Sequence, residues 1–273
     1  MIKDITLGQF FPGNTVLHRL DPRMKIILTI AYIVAVFLAK NVYSFIAVTA
    51  SAVILVCISR ISWKTILKSM KPLIFVLAFT TFFNLFWTTG DVLLISFWKI
   101  NIYLEGVVYS VMMILRITAM LVGTTILLTY TTSPIMLTDA LERLLAPLRK
   151  IKLPVHEFSM MMTIALRFIP TLIEETDKIM SAQKARGADF ESGSLMRRAK
   201  ALVPILIPLF ISAFRRADEL ATAMECRCYR GGDGRTRMTK LKYAARDVGA
   251  VLVMALFIGG IVVLNLIPSA ITL

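Results

Sequence analysis

Two arginines close near-copies of one segment, Asp177-Lys-Ile179-Met-Ser-Ala182-Gln-Lys-Ala185-Arg186-Gly187 and Asp218-Glu-Leu220-Ala-Thr-Ala223-Met-Glu-Cys226-Arg227-Cys228, set 41 residues apart. A guanidinium offers recognition here. Its planar fork stays charged and makes paired bonds to a carboxylate, and small flanking residues let a chain end approach closely. Truncating one member of such a contact, once it is desolvated, costs roughly 3–5 kcal/mol because the remaining charge is left buried. A helix-terminal arginine also favours the negative end of the helix dipole, so a single copy would carry little weight. Duplication points to one docking device built twice, for a paired partner. Asp177 and Asp218, nine residues upstream of the arginines, are expected to pair within their own helices.

Other reactive residues form no comparable pattern. His18 and His156 are the only histidines, and His156-Glu157 lacks the second histidine of a zinc-binding HExxH helix. Cys226-x-Cys228 has no nearby second Cys or His pair with which to hold a soft metal, so these thiols are expected to be small, half-buried and reduced. No GxSxG elbow occurs. Gly231-Gly-Asp-Gly-Arg-Thr lacks the Gly-Lys-Ser/Thr ending of a phosphate loop and follows a helix, so it is expected to be a turn. The expectation is no catalytic residue, no metal and no ATP site in this chain.

The elements that must carry the arginines are set by hydropathy. With 57% hydrophobic residues, 18% charged and a mean hydropathy of +0.75, the chain reads as an all-α polytopic membrane protein. A span needs about 20 apolar residues. Five candidates follow, at about 24–39, 43–59, 72–89, 106–129 and 248–267. Asp21 and Pro22 supply an N-cap and first turn for the first, and Pro268 closes the last. This divides the chain into a transmembrane region (1–132), a block of coupling helices (133–246) and a final transmembrane segment (247–273).

The net charge of +14 is read by position. Four Lys/Arg fall in residues 1–25, four in 59–71 and twenty in 133–246, against Lys40 and Lys99 in the opposite loops and Arg116 inside a span. The positive-inside rule then predicts a cytoplasmic N-terminus, an outside C-terminus and a cytoplasmic 133–246 block. Contact with anionic lipid headgroups of the bilayer is a secondary effect. A nucleic-acid partner is not expected, since most Phe and Trp lie in apolar runs rather than between basic residues. The mixed residues before the first apolar run do not resemble a cleavable signal.

The cytoplasmic block divides at Pro and Gly into about three helices, 134–150, 155–188 and 195–229, with Val203–Phe214 as a buried or interfacial stretch. In the second, Met161, Ala165, Phe168, Leu172, Thr176, Ile179 and Gln183 recur at spacings of three and four, opposite Glu157, Arg167, Glu174 and Lys178. Met160, Met161, Met162 and Leu166 form a soft surface of a kind that accepts partners, although core filling is the commoner use of such residues.

The two X-Arg-X ends, His18-Arg19-Leu20-Asp21-Pro22-Arg23 and Ala223-Met-Glu-Cys-Arg-Cys-Tyr-Arg-Gly-Gly232 resemble the signatures of the transmembrane T component of energy-coupling factor transporters, related to the CbiQ-type T components. The resemblance covers nearly the whole chain, in length, span count and order of helices. It departs at Cys226 and Cys228, where that family commonly has Ala and Gly. The resemblance implies a non-catalytic scaffold in a prokaryotic cell membrane, within a vitamin or micronutrient importer. Ala185, Arg186, Gly187, Cys226, Arg227 and Cys228 would dock two ABC-type ATPases, a heterodimer that itself binds ATP and Mg. Met160, Met161, Met162 and Leu166 would touch a membrane-embedded substrate-binding S component. A permease that carries the solute itself, or a T component dedicated to a transition-metal ion, stays open as an alternative. A solute path would call for polar residues on several spans, and mainly Asn84, Arg116 and Asn265 are present.

Overall fold

A computed structural model describes residues 10–88, 93–97, 100–190, 192, 194–232 and 241–267. The expected turn at 233–234, the closing Pro268 and the loop lysines Lys3 and Lys99 lie outside the described residues. The chain forms two compact units, Gly8–Ser133 with Leu241–Leu273, and Pro134–Lys240 with Met1–Leu7.

The first unit is built from α1 (Pro22–Leu38), α2 (Val42–Ser59), α3 (Trp63–Met70), α4 (Ile74–Trp87), α5 (Leu104–Thr124) and, from the far end of the sequence, α9 (Ala245–Asn265). Among the described residues four helical stretches are long and apolar enough to cross a membrane: Val42–Ser59, Trp63–Trp87, Leu104–Tyr130 and Ala245–Asn265. At 17 residues α1 stands at the short limit of a spanning helix. The chain is an all-α multi-pass membrane protein in which the expected 72–89 span begins earlier. Ser62 caps α3, a 3₁₀ turn at Lys71–Leu73 absorbs Pro72, and α4 continues the path. The expected 106–129 span likewise lengthens to 104–130, through a π-helical turn at Thr125–Tyr130.

One feature departs from helices alone. Leu93–Phe97 and Ile100–Tyr103 pair as a short antiparallel hairpin, β1–β2, between α4 and α5. Its β-branched and aromatic content suits a strand, and it is too short to have registered against the apolar spans around it.

The core of this unit lies among α1, α2, α5 and α9, with Tyr32, Val36, Phe45, Val48, Ile126 and Tyr130 fully buried. Gly123 lets α1 and α5 close, since a Cβ there would stand 2.1 Å from Cε1 of Tyr32. The Tyr32 hydroxyl donates to the Ala119 carbonyl. Two polar clasps hold α9 to α1 and α2 across more than 220 residues of sequence. At one end Asp247 accepts from the Asp21 amide at 2.9 Å and the Ala244 amide at 2.8 Å. At the other, Asn265 donates to the Leu38 carbonyl, Ser44 donates to Asn265, and Asn41 donates to the Ile267 carbonyl, each at 2.7 Å. Lys25, 2% exposed, donates to the Thr131 carbonyl and to Thr132 Oγ1 at the end of the π turn. By contrast α4 buries no side chain, and Phe75, Phe79, Phe83 and Trp87 stack along its length.

The second unit contains α6 (Pro134–Leu144), a 3₁₀ stretch (Ala146–Ile151), α7 (Val155–Ala185) and α8 (Leu195–Cys226). Helix α6 packs on α7, and α7 packs on α8. Pro170, Pro204 and Pro208 all lie inside helices that continue through them. Of the two uses expected for the stretch at 203–214, burial in the chain's own core is not seen: Val203, Leu206, Ile207, Phe210, Ile211 and Phe214 are 47–72% exposed, and Ile205 alone is buried in α8 among the described residues. The expected apolar stripe of α7 is likewise half-buried at most, with Met161 and Ala165 exposed. Only Val155 and Ser159 of that helix are fully covered.

Candidate docking site

Both arginines occupy the same position in the same helix ending. Arg186 is the C-cap of α7 at φ −86°, ψ 7°, and Arg227 the C-cap of α8 at φ −92°, ψ 13°. The residue after each turns left-handed, Gly187 at φ +86° and Cys228 at φ +55°. The backbone bonds then match one for one. Gly187 donates to the Lys184 carbonyl and Ala188 to Gln183, while Cys228 donates to Glu225 and Tyr229 to Met224. This is the Schellman ending, which satisfies the last carbonyls of a helix and turns the chain sharply away. Its effect is to leave the arginine as the tip of the rod.

The six candidate docking residues, Ala185, Arg186, Gly187, Cys226, Arg227 and Cys228, are all exposed. Neither arginine side chain makes a hydrogen bond or ion pair among the described residues. The cysteines correct one expectation, being exposed rather than half-buried. Position 187 also separates two reasons for a small residue. A Cβ there would meet nothing within 4 Å, so within the chain it is the positive φ, not packing, that calls for glycine. Further upstream the repeat persists in the hydrogen bonds, since Ser181 donates to the Asp177 carbonyl and Thr222 to the Asp218 carbonyl.

The methionine surface is partly open. Met161 and Met162 are 57% and 40% exposed, and Met160 and Leu166 are half-buried. The remaining residues that could do chemistry are held structurally. Arg116 donates to the Ala39 carbonyl at 2.7 Å and lies over the Phe45 ring, with its Nε buried and unpartnered. Asn84 donates to Thr80 in its own helix. No group of three or more His, Cys, Asp or Glu is arranged to hold a metal among the described residues.

Two side-chain pairs were not singled out from sequence. His156 Nδ1 stands 2.9 Å from Glu142 Oε1, joining α7 to α6, and Gly232 leaves room for that ring, since a Cβ would come within 2.4 Å of it. Arg216 of α8 donates to Glu175 of α7 at 3.2 Å, and its Nε reaches Ser212. The separation of 41 in sequence, the same as that of the two arginine tips, is the signal that could have found this pair.

Comparison with known proteins agrees with this architecture. The CbiQ family model, described as cobalt transport protein, matches residues 13–238. An energy-coupling factor transporter transmembrane protein EcfT of Ruminiclostridium cellulolyticum is 51% identical over 97% of this chain and 98% of its own. The proteins of the same name from Clostridium kluyveri and Bacillus subtilis are 53% and 44% identical, each over 92% of this chain and 93% and 95% of their own. Helices that cross the bilayer several times, matched along their length by transport proteins, define a membrane transport component. The chain belongs to the family of energy-coupling factor transporter transmembrane T components.

Proposed function

We propose that this chain is the non-catalytic transducer of an ATP-driven importer, gripping two cytoplasmic ATPase subunits through Arg186 and Arg227 and a substrate-binding S component through an apolar face. The observation that carries the reading is the pair of identical helix endings, each presenting an exposed arginine with no partner of its own among the described residues. Two equal tips suit two equivalent grooves, as an ATPase dimer would offer. A desolvated carboxylate in each groove would take the guanidinium in paired bonds, which a lysine could not reproduce. ATP and Mg would be held by those partners.

The S component would cover Met160, Met161, Met162 and Leu166 together with the open apolar side of α8, because clustered exposed apolar residues mark interaction surfaces. On this reading residues 133–246 lie in the cytoplasm, the N-terminus is inside and the C-terminus outside. The intramembrane polar groups weigh against a solute-carrying permease: Asn84, Arg116 and Asn265 each spend a donor on a backbone carbonyl of the spans. Those bonds tie the polar side chains to the backbone, within a helix at Asn84 and between helices at Arg116 and Asn265, instead of leaving them to line a path.

The test is co-purification. Tagged chain from solubilised membranes should bring down two ATPase subunits, and Arg186→Glu with Arg227→Glu should release them while the chain remains in the membrane. ATPases retained at the unmodified level by the double variant would overturn the docking assignment.

A further inference from the structure

The repeat that ends in Arg186 and Arg227 extends further back than its obvious residues. Offset by 41, Thr171 corresponds to Ser212, Glu174 to Arg215 and Glu175 to Arg216. The acidic pair of α7 therefore stands where α8 has a basic pair. The structure brings two of these equivalent positions into contact, with Arg216 Nη2 at 3.2 Å from Glu175 Oε2 and Ser212 beside them. Helices α7 and α8 thus meet at corresponding points of the repeat. From the pair to its tip each arm is eleven residues long, 175 to 186 and 216 to 227, or about 16 Å of helix.

We infer that Glu175 and Arg216 are positioning residues, the pin on which the two docking arms turn, and that their complementary charge holds the register in which both arginine tips have equal reach. The inference rests on the docking reading above. A slip of one helical turn on either helix would make the arms unequal by about 5.4 Å, too much for two equivalent grooves to be filled together. The neighbouring charges oppose that slip where it runs toward the tips. Moving α8 so that Glu175 faced three residues onward would set it against Glu219, and moving α7 likewise would set Arg216 against Lys178. Like charges resist both moves. A charged pair on a partly open surface also suits a pivot better than an apolar plug, because it can rotate without opening a cavity.

The test uses the full chain in nanodiscs, with spin labels on keto-bearing residues in place of Asp189 and Arg230, equivalent positions just beyond the tips. Glu175→Arg alone and Arg216→Glu alone should each broaden the label-to-label distance distribution about twofold, and the exchanged pair should narrow it again. With the partner ATPases bound, each single reversal should lower ATP hydrolysis by the complex about fivefold, with the exchange restoring it to within about twofold. Glu175→Gln, which removes charge without repulsion, should show the same trends in smaller degree and serves where a reversal misfolds.

Unchanged widths in the single variants overturn the inference, as does an exchange that restores nothing. Broadening without loss of hydrolysis reduces the pair to a structural bond and overturns the pivot. The two readings separate cleanly: distance width is read without ATPases and decides the register, whereas failure of the unmodified chain to retain ATPases defeats the docking assignment and with it the pivot's role in coupling.

Discussion

Cys228 performs with a side chain what Gly187 performs without one. An L-residue in the left-handed region costs roughly 1–2 kcal/mol, and the ending at Cys228 holds that conformation against the cost through its two backbone bonds. Gly187→Ala should therefore lower protection of the Ala188 amide about 5- to 30-fold in hydrogen exchange, with Cys228→Gly raising that of Tyr229. Equal protection in Gly187→Ala and the unmodified chain would refute the strain argument. Both arginine tips were located by the repeat and the resemblance, whereas the expected helices 155–188 and 195–229 ran three residues past the endings at Ala185 and Cys226, so the left-handed turns at Gly187 and Cys228 were not legible. Glu175 adds a pH dependence. A hydrogen bond from Ser212, and then the Arg216 charge, holds its carboxyl below the usual range, so the ionised form outlasts ordinary glutamates in acid. A lowered folded pKa contributes fully above the unfolded value and is lost as pH falls through the folded one. The distance distribution between labels at 189 and 230 should therefore stay narrow as pH falls through the range where ordinary glutamates titrate, and broaden only in more acid solution.

At the scale of elements, α1 and α5 depend on one missing side chain. Gly123→Ala would drive a methyl into the buried Tyr32 ring, and overpacking of this kind costs about 1–3 kcal/mol. The purified variant should unfold at a lower temperature, and Tyr32→Leu should recover part of the loss by making room. Most helices were legible because their cause is local: apolar runs of spanning length, and Asp21 with Pro22 at a start; α3, whose Lys64 and Lys68 read as part of a basic loop, was not. What stayed hidden depends on distant partners. The contact of Asp247 with Asp21 leaves no periodic trace, and neither does that of Asn265 with Leu38. Whether the apolar side of α8 is buried or interfacial was left undecided for a related reason. Apolar residues at helical spacing look the same whether they meet the chain's own core or a separate protein.

Across the whole molecule, the proposed orientation makes a direct prediction. Green fluorescent protein fused to the N-terminus should fluoresce, and fused to the C-terminus should stay dark, since it matures only inside the cell; the reverse pattern would refute the proposed topology. The clasps on α9 carry a further consequence, for synthesis. Asp21 and Asp247 are 226 residues apart, so at about 5–20 residues per second the ribosome takes roughly 11–45 s to supply the partner that Asp21 awaits. Through that interval the Asp21 amide, the Leu38 carbonyl and the Asn41 amide lack the bonds that finish the first unit. Helix α9 thus closes the first unit late in synthesis, and a chain cut short before Asp247 would remain an unfinished bundle with those groups unpaired.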